Sequence, residues 1–189
     1  MKILDNINHT VREDLQDTMQ KGSRVSIAAA CFSIYAYQEL KKQLEEIAEL
    51  RFIFTSPTFV QENTPKERRE FYIPKLTREK SLYGTEFEVR LRNELTQKAL
   101  AKECADWVRR KVKFRSNVSG EQMPGFMTVG ESSYMPISGF TTVDLGCERG
   151  NNAYYPVQRT EAFENGRYFL SLFDEIWNDS SRLQDVTDI

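Results

Sequence analysis

Apolar positions along this chain follow two periods in turn, and their order predicts a β-α-β opening. Ile7, Val11, Leu15 and Thr18 or Met19 fall at helical spacing, with Gly22 placed to end that helix. The run VSIAAACFSI, residues 25–34, is nearly unbroken and rich in small and β-branched side chains. Such a run predicts a strand covered on both faces, as in a parallel sheet. Tyr37, Leu40, Leu44 and Ile47 then form a helical stripe, while Glu39, Lys41, Lys42, Glu45 and Glu46 fill the other face. RFIFTS, residues 51–56, follows as a second strand. Strand, helix and strand in that order imply parallel pairing with a right-handed crossover, and a ligand edge at the strands' carboxyl ends.

Regular signals stop at Pro57. Residues 57–95 mix prolines, charges and aromatics, with one alternating patch at Phe87, Val89 and Leu91, and read as a long insertion with a hairpin near its end. Leu100, Cys104, Trp107 and Val108 mark another helix, expected to run into a basic strand, RRKVKFRS, residues 109–116. GFMTVGESSYMPISGFTTVDLGCERGNN, Gly125 to Asn152, predicts two short strands around a polar turn, then a loop rich in Gly and Asn. Phe163, Phe169, Leu172, Phe173, Ile176 and Trp177 give a last helix whose broad apolar face is expected deep in the core. The tail after Asn178 is polar and acidic, and no repeat is present.

Composition narrows the picture. With 189 residues and 40% hydrophobic content, one domain is expected. The net charge of −2 gives no global reason to expect nucleic acid or an anionic membrane as partner, yet the charge is unevenly placed. Residues 60–120 hold fifteen Lys and Arg against nine Asp and Glu, and the remainder eleven against nineteen. Cys31, Cys104 and Cys147 are odd in number and widely spaced, which suggests reduced thiols in a cytoplasmic protein. No run approaches the length of a membrane span, so no membrane partner is expected.

Candidate chemistry is sparse. His9 is the single histidine and reads as a surface or capping residue, far in sequence from the loops that would line the strand ends. No GxxxxGK[ST] loop occurs, and Gly146 to Gly150, GCERG, lacks the lysine that would reach a nucleotide's phosphates. Glu131, Asp144 and Glu148 are the carboxylates near the patterned strands. Asp144, placed at a strand end before Gly146, suits either a metal ligand or a turn cap; the cap is favoured, because turn Asp residues commonly bond backbone amides. Arg149 and Asn151 beside two glycines would present guanidinium and amide groups to a phosphate, or form a plain turn. Lys111, Lys113 and Arg115 would project from one face of the basic strand, with Val112 and Phe114 turned inward. That stripe would track a phosphate backbone or simply protect a solvated sheet edge.

The order of elements resembles the phospholipase D-like fold, an α/β fold with a mixed sheet flanked by helices. More closely, residues 30–59, 99–114, 139–152 and 172–179 look like the N-terminal module of bacterial superfamily-two (DEAD/DEAH-type) helicases, in which a phospholipase D-like domain precedes the ATPase; GFTTVDLGCERGNN is the most specific phrase. The signature of that fold is His-x-Lys, then Asp, then a Gly-Ser-x-Asn-like turn. Aligned here, the histidine place falls at Phe126, the lysine place at Thr128 and the aspartate place at Ser133, with Gly139 to Thr142 at the final turn. Every catalytic position has changed. Cleavage in this fold uses imidazole as nucleophile, and Phe126 has no attacking nitrogen.

The resemblance therefore implies a non-catalytic accessory domain of an ATP-dependent DNA helicase, in which ATP binding and hydrolysis belong to a motor domain in cis. Its expected task is to bind DNA or position the motor, with Lys111, Lys113, Arg115, Arg149 and Asn151 as contacts. No catalytic residue, metal or cofactor is assigned to this segment. One alternative is a protein-interaction or homodimerisation module; another is a metal-dependent nuclease using Asp144 and Glu148.

Overall fold

A computed structural model describes residues 1–56, 60–61, 71–72 and 94–188, with the backbone alone at 60–61, 71–72 and 94–97. The strands are β1 (Lys2–Leu4), β2 (Arg24–Ala29), β3 (Glu49–Phe54), β4 (Val60–Gln61), β5 (Phe71–Tyr72), β6 (Val112–Asn117), β7 (Phe126–Val129), β8 (Ser132–Met135), β9 (Val157–Thr160) and β10 (Leu183–Asp185). The helices are α1 (Val11–Thr18), α2 (Ile34–Glu39), α3 (Lys41–Glu46), α4 (Glu94–Lys111) and α5 (Gly166–Trp177). Eight strands form one mixed open sheet, ordered β1-β9-β8-β7-β2-β3-β6-β10, and β4 pairs with β5 apart from it. β2, β3 and β6 are parallel neighbours; all other pairs are antiparallel. The β-α-β opening is thus as the periodicity predicts. The hairpin expected at Phe87 to Leu91 lies outside the described residues.

The sheet has two unlike faces. Val25, Ile27, Ala29, Leu50, Phe52, Phe54, Met127, Val129 and Tyr134 point into the larger core, which α1 to α4 close with Leu15, Tyr37, Leu44 and Trp107. Each fully enclosed aromatic here is worth about 3 kcal/mol of burial. The indole N–H of Trp107 donates to the Leu44 carbonyl at 2.9 Å, so even the polar edge of that side chain is matched. The other face bears a smaller cluster, Ala28, Ile53, Phe126, Phe173, Trp177 and Leu183, beneath α5.

Several elements differ from the sequence expectation, each for a local reason. The first helix begins at Val11, not near Ile7: Asp5 Oδ1 accepts the amides of Ile7, Asn8 and His9, all at 2.9 Å, and Asn6 takes φ 56°. Thr10 and Glu13 then close a reciprocal capping box, which the Thr-x-x-Glu spacing encodes. The stripe from Tyr37 to Ile47 is two short helices, because Leu40 leaves helical geometry at φ −116°, ψ 13°. The apolar run starting at Val25 stops being a strand at Ala29; Ala30 to Ser33 instead bond the Ser138–Phe140 loop, and Ser33 caps α2.

The basic strand is shorter than expected. Arg109, Arg110 and Lys111 finish α4, where cations favour the carbonyl end of a helix, so Lys111 does not share a strand face with Lys113 and Arg115. Asp144 sits in a run of turns, with Leu145 N bonded to Thr141 O and Gly146 N to Val143 O, rather than at a strand end. β1, β9 and β10 have no counterpart in the periodicity, since three or four residues are too few to show one. The polar tail is therefore structured: β10 pairs with β6. Phe163 precedes α5 in a 3-10 turn and is 86% exposed, and only Phe173 and Trp177 among the predicted helix face are fully buried. The expectation of a deeply packed last helix holds for its C-terminal half alone.

Candidate functional site

Cross-strand partners in a sheet share a face. The pairing Thr160–Ser133–Thr128–Ser26–Arg51–Lys113 therefore forms one polar row across six strands, on the α5 side. The three places where the resemblance puts histidine, lysine and aspartate lie on this side too. Phe126 and Thr128 alternate along β7, and Ser133 is the direct partner of Thr128. All three are buried. The Phe126 ring is capped by Phe169 at 5.8 Å and Phe173 at 6.1 Å between centroids, so aromatic packing closes over this end of β7. Thr128 Oγ1 has no hydrogen-bond partner.

Beside this row lies a cluster of cations. Lys113 is the strand partner of Arg51, and Arg115 follows two residues later on the same face of β6. Strand spacing and rise put the Cα atoms of Arg51 and Lys113 about 5 Å apart, those of Lys113 and Arg115 about 7 Å apart, and those of Arg51 and Arg115 about 8 Å apart. Arg51 bonds Ser26 Oγ at 3.1 Å, pairs with Asp174 at 2.7 Å, and its guanidinium lies 4.9 Å from the Phe173 ring centroid. Arg115 stacks on Trp177 at 4.3 Å and donates to the Trp177 carbonyl oxygen. Lys113 is exposed. Asp185 stands opposite Arg115 on β10, and its carboxyl is held below the ordinary range by the Thr187 amide first and by attraction to Arg115 and Lys113 after that.

The five expected contacts are thereby separated. Lys113 and Arg115 share a face; Lys111 instead donates its Nζ to the Ile47 carbonyl at 2.7 Å. Arg149 and Asn151 are exposed on the loop before β9, across the sheet from β6. Arg51 joins Lys113 and Arg115 and was missed by sequence reasoning, although a lone charge inside RFIFTS was a usable signal.

The carboxyl edge of the parallel strands holds the other polar centre. Asp144 is buried; its Oδ2 accepts Thr141 Oγ1 at 2.6 Å and the Thr141 amide at 3.2 Å, and its Oδ1 accepts the Tyr155 hydroxyl at 2.5 Å. Burial pushes its pKa up and outweighs these bonds, which act the other way. Burial and the Asp144 charge push the Tyr155 hydroxyl up as well, and that oxygen accepts the Ser138 amide at 2.8 Å. Glu148 accepts Thr142 Oγ1 at 3.1 Å. A Cβ on Gly139 would lie 2.7 Å from Cys31 Sγ and 2.9 Å from Asp144 Oδ2, so glycine is what lets the thiol and carboxylate crowd this loop. Asp144 is a loop organiser with both oxygens engaged, in line with the cap reading. Among the described residues, no group of three His, Cys, Asp or Glu is placed to hold a metal ion.

His9 is nearer this edge than its sequence position suggests. The β1–α1 turn docks on the same loop through Asn6 Nδ2, which donates to the Asp144 and Tyr155 carbonyls at 3.3 and 3.1 Å. His9 is nevertheless exposed, and its backbone ties it to the turn: its amide donates to Asp5 Oδ1 and its carbonyl accepts the Asn6 amide. Asp5, Asn6, Val143, Glu148, Arg149 and Tyr155 line a small concavity here, which mixes two acids with one base. Among the described residues, no helix is long and apolar enough to cross a membrane. No protein-family model matches the chain, and no curated protein matches it.

Proposed function

We propose that this chain is a non-catalytic accessory domain of phospholipase D-like architecture that engages the phosphate backbone of DNA, ahead of a helicase-type ATPase motor in the same polypeptide. One observation supports the non-catalytic part most directly: Phe126, Thr128 and Ser133 are all buried, and Phe169 and Phe173 pack on the Phe126 ring, where a phosphodiesterase of this shape would present its reactants. DNA engagement draws on Arg51, Lys113 and Arg115, three cations on adjacent strands. Backbone contacts of this kind give salt-dependent, sequence-tolerant affinity.

Lys113 and Arg149 are exposed, so their removal tests binding without disturbing the core. Lys113→Ala with Arg149→Ala should lower the log–log salt slope by about 2, one for each lost phosphate contact. An unchanged slope removes both residues from the DNA interface. The motor assignment predicts a Gly-Lys-Thr phosphate loop elsewhere in the same polypeptide, and its absence from the complete coding sequence defeats that part of the reading.

A second reading has its own observation. Tyr168 is 61% exposed, and Phe169, Leu172 and Ile176 are only partly buried, so α5 leaves an apolar flank uncovered as an interaction or homodimerisation surface would. Sedimentation over a range of concentrations separates the readings: a concentration-dependent dimer abolished by Leu172→Glu favours the interaction module.

A further inference from the structure

The two carboxylates facing the Arg51, Lys113 and Arg115 cluster both come from one C-terminal segment. Asp174 belongs to α5 and reaches Arg51; Asp185 belongs to β10 and stands opposite Arg115. The same segment lays Trp177 over both arginines, at 5.7 Å from Arg51 and 4.3 Å from Arg115. These acids occupy positions that phosphate oxygens would take, and Trp177 covers the guanidinium groups.

The sheet beneath offers this helix an apolar patch, Ala28, Ile53 and Phe126, and beside that patch a polar row. Ser26, Thr128 and Ser133 line up beside Arg51, all buried, and Thr128 Oγ1 is left without a partner under an aromatic helix. A buried hydroxyl with no acceptor or donor is a net cost to the closed arrangement. The α5 side also has few anchors: of seven apolar or aromatic side chains on α5, only Phe173 and Trp177 are buried. Elements with so little buried apolar surface open locally before the rest of a domain does.

From these observations, and resting on the DNA reading above, we infer that Gly166–Asp185 is an internal strap: Asp174 and Asp185 neutralise the Arg51–Lys113–Arg115 face, and a nucleic-acid phosphate backbone competes with them for it. In the closed state the domain binds through its exposed cations alone. When α5 lifts, three clustered cations and the hydroxyl row become available together. A ligand that prefers the open state shifts the equilibrium by its differential affinity.

The test uses the whole chain with a fluorescently labelled random-sequence duplex, read by anisotropy at low and moderate salt, with hydrogen exchange measured in parallel. Asp174→Asn with Asp185→Asn removes the competing acids. Asp17→Asn with Glu46→Gln changes the net charge equally at exposed positions elsewhere. The strap predicts at least about tenfold tighter binding and a steeper salt slope for the first pair only, since new phosphate contacts are made. It also predicts faster exchange of α5 amides in that pair, with β2 and β3 unchanged. Equal tightening in both pairs reduces the effect to net charge and overturns the strap. Wild-type affinity in the first pair overturns it too, while leaving the DNA reading intact. Should no form bind the duplex, the DNA reading fails, and α5 exchange as slow in the first pair as in wild type removes the strap independently.

Discussion

The two faces of the central sheet contrast in what they bury. On one, β2, β3 and β7 meet α1 to α4 in an apolar cluster where Phe32, Phe52, Phe114 and Trp107 interlock, with centroid separations of 5.5 to 6.5 Å between Phe32 and the others. On the other, a single helix covers a row of hydroxyls and cations, and its aromatics stack on guanidinium groups as much as on each other. Stability and specificity of fold belong to the first face. Polar groups spared from the second are costly to bury, so that is where recognition is best sought.

The largest test of this contrast compares the two tryptophans. Trp107→Ala should lose about 5 kcal/mol in urea unfolding, since a fully enclosed indole and its hydrogen bond both go. Trp177→Ala should lose nearer 3 kcal/mol, because water can reach the released arginines. Equal losses would show that the faces are equivalent in stability.

A smaller effect is expected at Asp14, which ties the sheet's far flank together. Its carboxylate takes Lys2 Nζ at 2.8 Å, the Tyr134 hydroxyl at 2.7 Å and Arg159 at 3.2 Å. Burial raises its pKa, but these partners together prevail and hold it below the ordinary range. A depressed folded-state pKa means stabilisation that is complete above the unfolded value and fades as pH falls through the folded one. Asp14→Asn should therefore cost about 2 kcal/mol near neutrality, less than a fully buried pair because Lys2 is half exposed. The gap between variant and wild type should close below about pH 4. A gap that stays constant to lower pH would show that shape, not charge, is what Asp14 supplies.

The smallest change sharpens the contrast most. Thr128→Val replaces an unpartnered buried hydroxyl with a methyl group of the same size, and should raise stability by about 1 kcal/mol. A loss of similar size would reveal that the hydroxyl is satisfied, and would take one support from the strap.

Much of this was legible in the residues themselves. The parallel β2–β3 pair followed from an unbroken apolar run, a helical stripe and a second run, because periodicity reports which sides of an element are covered. The β7–β8 hairpin followed from the Gly130 turn between two β-branched and aromatic stretches. Short elements were not legible: β1 and β10 are three residues each and exist because neighbouring edges accept them. Lys111 shows the same limit, since whether RRK ends a helix or starts a strand depends on carbonyls from Ile47 and on Glu45, far away in sequence.

By itself, the sequence determined the alternation of elements, the thick apolar core and the scarcity of imidazole, with His9 the single histidine, because each of these is written in local pattern or composition. Only the tertiary structure decided which cations stand together. Arg51 and Lys113 are sixty-two positions apart in the chain, yet parallel pairing makes them neighbours. Asp174 and Asp185 face that cluster because α5 packs over the sheet and β10 joins its edge beside β6, and long-range register, not local propensity, sets that geometry.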